Sequence, residues 1–294
     1  MKKGILSVFA IAAATGVAAI VATLPAPLPD DALQGLSPDP TRGEVIFAIA
    51  GCASCHANPQ TPETLGGGKA FASDFGTFYA PNISSDVEHG VGGWSDLALA
   101  SAITRGVSND GAHLFPAFPY TSYAKADLAD VADLIAYMRG LPADPTPSKP
   151  HDVGFPFNQR WTLGGWKLLF ANGDWVLPDA SNEEIARGRY LVESLGHCTE
   201  CHTARNILGG LDRTRWLAGA PNPSGEGRIP NITPAALQWS EDEIAGYLAS
   251  GMTPEFDFAG GEMAEVIRNT AQLTDDDRTA IAAYLKAIPA VPNE

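Results

Sequence analysis

Cysteine, methionine and histidine are scarce in this chain of 294 residues, at four, four and six copies. No cysteine lies outside two short stretches, "CASCH" at 52–56 and "CTECH" at 198–202, so a chemistry that uses both pairs leaves none for a structural disulfide. Bases are also few. With 19 Lys and Arg against 34 Asp and Glu, the net charge of -15 excludes a nucleic-acid surface and favours encounter with a basic protein partner. Only one long stretch is free of charge: after Met1, Lys2 and Lys3 comes "GILSVFAIAAATGVAAIVATL", then a Pro-rich hinge, with Asp30 the first acid. This is an export pattern, and the apolar run from Ile5 to Leu24 matches the roughly 20 residues a bilayer-spanning helix requires. No clean small-residue cleavage site follows, so residues 1–29 read as a signal peptide or an uncleaved membrane anchor, with the anchor preferred. With no second span, everything after Asp30 is expected on the trans side, the periplasm of a bacterium, anchored to the inner membrane.

What is present, at 45% hydrophobic, suffices for two domains with real cores. Five blocks recur in one order at an offset of 143 to 149 residues. "GEVIFAIAGCASCH" matches "GRYLVESLGHCTECH", "LGGG" from Leu65 matches "LGGL" from Leu208, and "APNISSD" matches "IPNITPA". "GWSDLALASAITRG" matches "QWSEDEIAGYLASG", and "DLADVADLIAYMRGLP" matches "TDDDRTAIAAYLKAIP". The expectation is a duplicated domain, at 38–142 and 181–291. Between the copies, 143–180 is rich in proline but carries "FPFNQRWTLGGWKLLF", too aromatic for a free linker and expected to pack across both. Each copy reads as a few helices and long loops. One helix runs into the Cys motif, and a second starts at Ser95 or Ser240, the latter with a Ser240–Glu243 capping box, and stops at Gly106 or Gly251. The last carries Leu128, Val131, Ile135 and Met138, or Ile281, Leu285 and Ile288, on one stripe. Strand signals are scarce, and the fold class is all-α.

A small helical unit with long glycine-rich loops buries too little by itself and needs something large inside it. In Cys-x-x-Cys-His two thiols stand about one helical turn apart, placed to add to the two vinyl groups of one haem, and the adjoining imidazole points at the iron. A zinc site would use all four cysteines, but the pairs are much further apart than the usual spacing of about 15 to 20 residues. A thioredoxin-like pair lacks its βαβ context, and disulfides would leave both histidines unexplained. Cys52, Cys55, Cys198 and Cys201 are therefore read as thioether ligands of two covalently bound haem c groups, with His56 and His202 on the irons.

On "CASCH", "NISSD" with "GGWS", "HLFPAFPYTSYAK", "FPFNQRW", "GHCTECHTARNILGGLDR" and "GGEMAEVIRNTAQLTDDD", the sequence resembles the cytochrome c subunits that serve membrane-bound periplasmic dehydrogenases, in a two-haem form. The resemblance implies two tandem class I cytochrome c-like domains that pass electrons from a dehydrogenase towards quinone, another cytochrome or an oxidase. It also implies a second axial ligand for each iron. Met138 belongs to the apolar stripe, and Met252, just behind a helix stop, reads as packing with Phe256 and Phe258. Met263, 61 residues after His202 and before the closing helix, stands where the family carries its ligand. The first copy has Phe118 and Ala126 where relatives carry Met, so His113, 57 residues after His56, is its candidate ligand, with Lys125 or an open iron as alternatives. His113 ligation would give the first haem the lower potential. Pro81 and Pro230 either present carbonyls to the proximal imidazoles or only shape their loops. His89, His151 and His197 default to structural or surface roles. A rival reading is a di-haem enzyme, peroxidase-like or thiosulfate-oxidising, working through an open first iron.

Overall fold

In both halves of the molecule, the helix that leads into the Cys motif crosses the last helix at a glycine. In a computed structural model, which describes residues 20–171, 173–223 and 227–293, α1 spans Pro40–Ile49, starting from Asp39, whose carboxylate accepts the Thr41 amide. It is followed by α2 (Cys52–His56), α3 (Asp96–Arg105), α4 (Tyr120–Tyr123) and α5 (Leu128–Arg139). A Cβ on Gly43 would stand 2.0 Å from the Asp133 carbonyl oxygen of α5, so only glycine permits this approach. After a bridging helix, α6 (Leu163–Phe170), the second half runs through α7 (Glu183–Tyr190), α8 (Thr199–His202), α9 (Glu241–Ser250), α10 (Glu262–Thr270) and α11 (Asp275–Ala287). Gly188 of α7 meets α11 as Gly43 meets α5, its Cβ falling 1.8 Å from the Ala280 carbonyl oxygen.

The helix limits read from the sequence hold. Ser95 accepts the Ala98 amide, and Ser240 exchanges bonds with Glu243 in a complete capping box. Gly106 and Gly251 end their helices at φ of 58° and 75°. Val131, Ile135 and Met138 are buried, as are Ile281, Leu285 and Ile288. Ile46, Ile49, Leu134 and Met138 share one apolar cluster with Leu191, Leu195, Ile281 and Leu285, so the two halves are packed together.

Three features depart from the sequence reading. Small sheets are present: β1 (Ala70–Ser73) and β2 (Gly76–Tyr79) form a hairpin, joined at β2 by β3 (Asp152–Val153), and β4 (Ala220–Pro221) pairs with β5 (Arg228–Ile229). The hairpin turns at Asp74–Phe75, which lacks the Asn-Gly type of signal, and its short strands alternate weakly. Secondly, the match of Leu65 with Leu208 is out of register. Leu65 accepts the Ile83 amide as Leu217 accepts that of Ile232, both at 2.9 Å, so "LGG" corresponds to "LAG" at 217–219. Thirdly, α7 continues into a π turn, Leu191–Leu195. Gly43 precedes Cys52 by nine positions and Gly188 precedes Cys198 by ten, and the extra residue is taken up in this wider turn.

The connector packs across both halves. From α6, Lys167 Nζ donates to the carbonyls of Arg105 and Gly106 at 2.7 and 2.8 Å, while Trp166 Nε1 donates to that of Leu208 at 2.9 Å. Among the described residues no helix is long and apolar enough to cross a membrane. The run read as an anchor lies, apart from its last residues, outside the described residues.

Candidate haem-attachment sites

Each Cys motif forms a single helical turn behind a left-handed residue. Gly51, at φ 62°, precedes α2 and suits that conformation; in the second motif the position is taken by His197, at φ 37°. His197 Nε2 lies 3.2 Å from the Ala50 carbonyl oxygen, which also accepts the Tyr123 hydroxyl at 2.8 Å, and its ring meets Tyr123 edge-on. His197 is thus a structural bridge between the motifs. Another structural histidine is His151, whose Nδ1 accepts the Tyr79 amide.

His56 Nδ1 lies 2.8 Å from the Pro81 carbonyl oxygen, and His202 Nδ1 lies 2.8 Å from that of Pro230. A carbonyl can only accept, so each Nδ1 carries the proton and each Nε2 keeps its lone pair for a metal. Burial lowers the pKa of both histidines and favours the neutral ring that ligation needs. The proline loops are held in place by glycines: the amides of Gly67 and Gly219 donate to the carbonyls of His56 and His202, both at 2.8 Å. Asn82 and Asn231 cap these loops by accepting the amides of Ser84 and Thr233 at 2.9 Å, which accounts for their matched positions.

None of the four cysteines is joined to another in a disulfide. Desolvation pushes Cys52 and Cys198 up to about 12 and Cys55 up to about 11, as expected of thiols set in an apolar interior. Among the described residues no group of three or more His, Cys, Asp or Glu is gathered to hold a metal between them. The donor set instead fits a haem: two thiols per turn, and one imidazole whose orientation is fixed by its far nitrogen.

The motifs lie side by side, each braced by the other half. Asn269 of α10 donates to the Ser54 hydroxyl at 3.0 Å, and Ser122 of α4 donates to Glu200 at 3.3 Å; Ser54 and Glu200 each sit between the cysteines of a motif. The sequence reading missed Glu193, in the π turn. This fully buried carboxylate accepts the Tyr284 hydroxyl at 2.7 Å and the Val176 amide at 2.9 Å. Lys125 Nζ lies 3.7 Å from the same carboxylate, between the Trp175 and Trp216 rings. The one signal was an acid set alone in the apolar run "YLVESL".

The candidate axial residues differ in setting. Met263, the second residue of α10, is half-buried against the main core. Met252 is 40% exposed and pairs in an antiparallel bridge with Phe258, and Phe256 and Phe258 are more exposed still. His113 is buried; its Nε2 lies 2.9 Å from the Thr23 carbonyl oxygen, and its Nδ1 has no partner. Lys125 is engaged by Glu193, as described.

Thiol pairs next to carbonyl-anchored imidazoles, carried by small helical units, define a c-type cytochrome. The Cytochrome c family model matches residues 185–289. Over 99% of this chain and the full length of the relative, the sequence is 51% identical to a diheme cytochrome c-type protein of Cereibacter sphaeroides. It is 38% identical to the fructose dehydrogenase cytochrome subunit of Gluconobacter japonicus, over 86% of this chain and 53% of that one. It is also 35% identical to the cytochrome c subunit of the quinone-type alcohol dehydrogenase of Gluconobacter oxydans, over 85% and 55%. The chain belongs to the diheme c-type cytochromes. It spans about half the length of the fructose and alcohol dehydrogenase subunits it matches.

Proposed function

We propose that this protein is an electron carrier with two haem c groups, one in each of two tandem class I cytochrome c-like domains (38–142 and 181–291), arisen by duplication and joined by the connector 143–180. A c-type haem supplies an iron that cycles between ferric and ferrous states and so holds one electron. Cys52 and Cys55 hold the first haem and Cys198 and Cys201 the second, with His56 and His202 as proximal ligands. The observation that carries this reading is the pair of matched 2.8 Å contacts from His56 to Pro81 and from His202 to Pro230, each beside a thiol pair. Reciprocal bracing of the two motifs supports transfer between them.

Met263 is the sixth ligand of the second iron. For the first, His113 is the assigned ligand, and its free nitrogen is Nδ1, since Nε2 is committed to Thr23. Substituting His113 by Ala should leave the first haem high-spin, and Met263→Leu the second; a His113→Ala protein with purely low-spin absorption bands removes the His113 assignment. The donor is a dehydrogenase, in keeping with the relatives, and the acceptor a quinone, cytochrome or oxidase. The location is the periplasm, with residues 1–29 retained as an inner-membrane anchor. Retention is supported by the way the described end of that segment is built into the fold: Thr23 is held by His113 and abuts Gly164 so closely that a Cβ there would stand 2.0 Å from its carbonyl oxygen. Intact-mass measurement of the exported chain, with thiol alkylation, tests the reading. Two added haems and no alkylated thiol are expected; free thiols or a bare mass refute it.

A further inference from the structure

One cation stands between the first Cys motif and α10 of the other half. Lys69 follows the Gly67–Gly68 turn that braces His56, and its Nζ donates to the Ser54 carbonyl at 3.0 Å, within the first motif. The same Nζ donates to Glu262 at 2.8 Å, with Glu265 at 3.7 Å; both lie on α10 of the other half. Arg268 approaches Glu265 at 3.4 Å, but from the exposed side, where solvent screens it. Lys69 is partly buried and Glu265 Oε2 is buried without a hydrogen-bond partner, while Glu262 is exposed, so the Lys69–Glu265 contact is screened less than the Lys69–Glu262 one. Glu262 directly precedes Met263 on α10, so the cluster lies between Ser54 of the first motif and the residue assigned to the second iron. Two carboxylates face one ammonium here, so removing Lys69 leaves only the exposed Arg268, beside Glu265, to offset them.

We propose that Lys69 is a positioning cation shared by the two haem sites, which ties the first motif to α10 across the boundary between the halves and raises the reduction potential of both irons. This rests on the haem reading above. An iron that gains one electron loses one unit of positive charge, so a nearby ammonium favours the ferrous state and a nearby carboxylate the ferric state.

Spectroelectrochemical titration of the full-length chain, with haem content checked by intact mass, tests this. Lys69→Gln is expected to shift both midpoint potentials downward, Lys69→Arg to leave both near the parent values, and Glu262→Gln/Glu265→Gln to shift both upward. A loosened boundary that merely admitted water would move every variant the same way, so the opposite signs separate charge from structure. Unmoved potentials in Lys69→Gln, a shift of one haem alone, or shifts of equal sign in the Lys and Glu variants overturn the inference. Should Lys69→Gln not accumulate, the double Glu variant carries the test alone, and potentials that fall or stay fixed overturn it. A mass without two haems overturns this inference and the reading it rests on; two haems with unmoved potentials overturn this inference alone.

Discussion

Asp144 shows how a single buried acid ties the first half to the connector. Its carboxylate accepts from Asn58 at 2.9 Å, from the Thr146 amide at 2.9 Å and from the Thr64 hydroxyl, and its carbonyl accepts Asn82 at 2.7 Å. These bonds, led by Thr146 and Thr64, hold its pKa well below the ordinary carboxylate range. A carboxyl with a depressed folded pKa stabilises the protein above its unfolded pKa of about 4 and loses that contribution as pH falls towards the folded value. Thermal melts from pH 6 down to pH 2.5 should therefore show a gap between the parent and Asp144→Asn that narrows below about pH 4. A gap independent of pH would contradict the assignment. Residues of this kind are poorly legible in a sequence. Asp144 sits among prolines with no motif, and Lys69 has no matched partner in the other half. The Cys-His motifs, by contrast, are legible because their spacing is itself the chemistry, and Pro81 and Pro230 because they recur beside matched asparagines.

Among the elements, those set by local chemistry were readable. Ser95, Ser240, Gly106 and Gly251 are capping and stop signals that act within one turn, whatever the rest of the chain does. The β1–β2 hairpin and the register of "LAG" at 217–219 were not readable, because they depend on loops pairing at a distance. The π turn was countable beforehand as one extra residue before the second motif, but its shape comes from packing. Ser240→Ala removes the side-chain half of the capping box, the hydroxyl that accepts the Glu243 amide, and should cost about 1 kcal/mol in chemical denaturation. A change indistinguishable from zero would mean that α9 is held by tertiary contacts alone. Gly188→Ala gains a little helix propensity, but its Cβ has no room against Ala280, and overpacking should win by about 2 kcal/mol. The same measurement checks this, and a stabilised variant would show that the α7–α11 crossing can relax.

At the scale of the whole molecule, the decisive group is Glu193, which joins the connector through Val176, the last helix through Tyr284 and the first half through Lys125. Removing one member of a buried pair strands the other, so Glu193→Ala should cost about 3 kcal/mol, whereas Glu193→Gln with Lys125→Met should cost clearly less than the sum of the two single changes. A denaturant double-mutant cycle decides, and strict additivity would show that Lys125 and Glu193 do not interact.

The bridging helix α6 adds a kinetic consequence. Its lysine grips the end of α3 while its tryptophan grips the loop after the second motif, so neither half can swing to meet the other. The gap an electron crosses is set by covalent and packed geometry, and its passage should proceed at the same speed in thick glycerol as in dilute buffer.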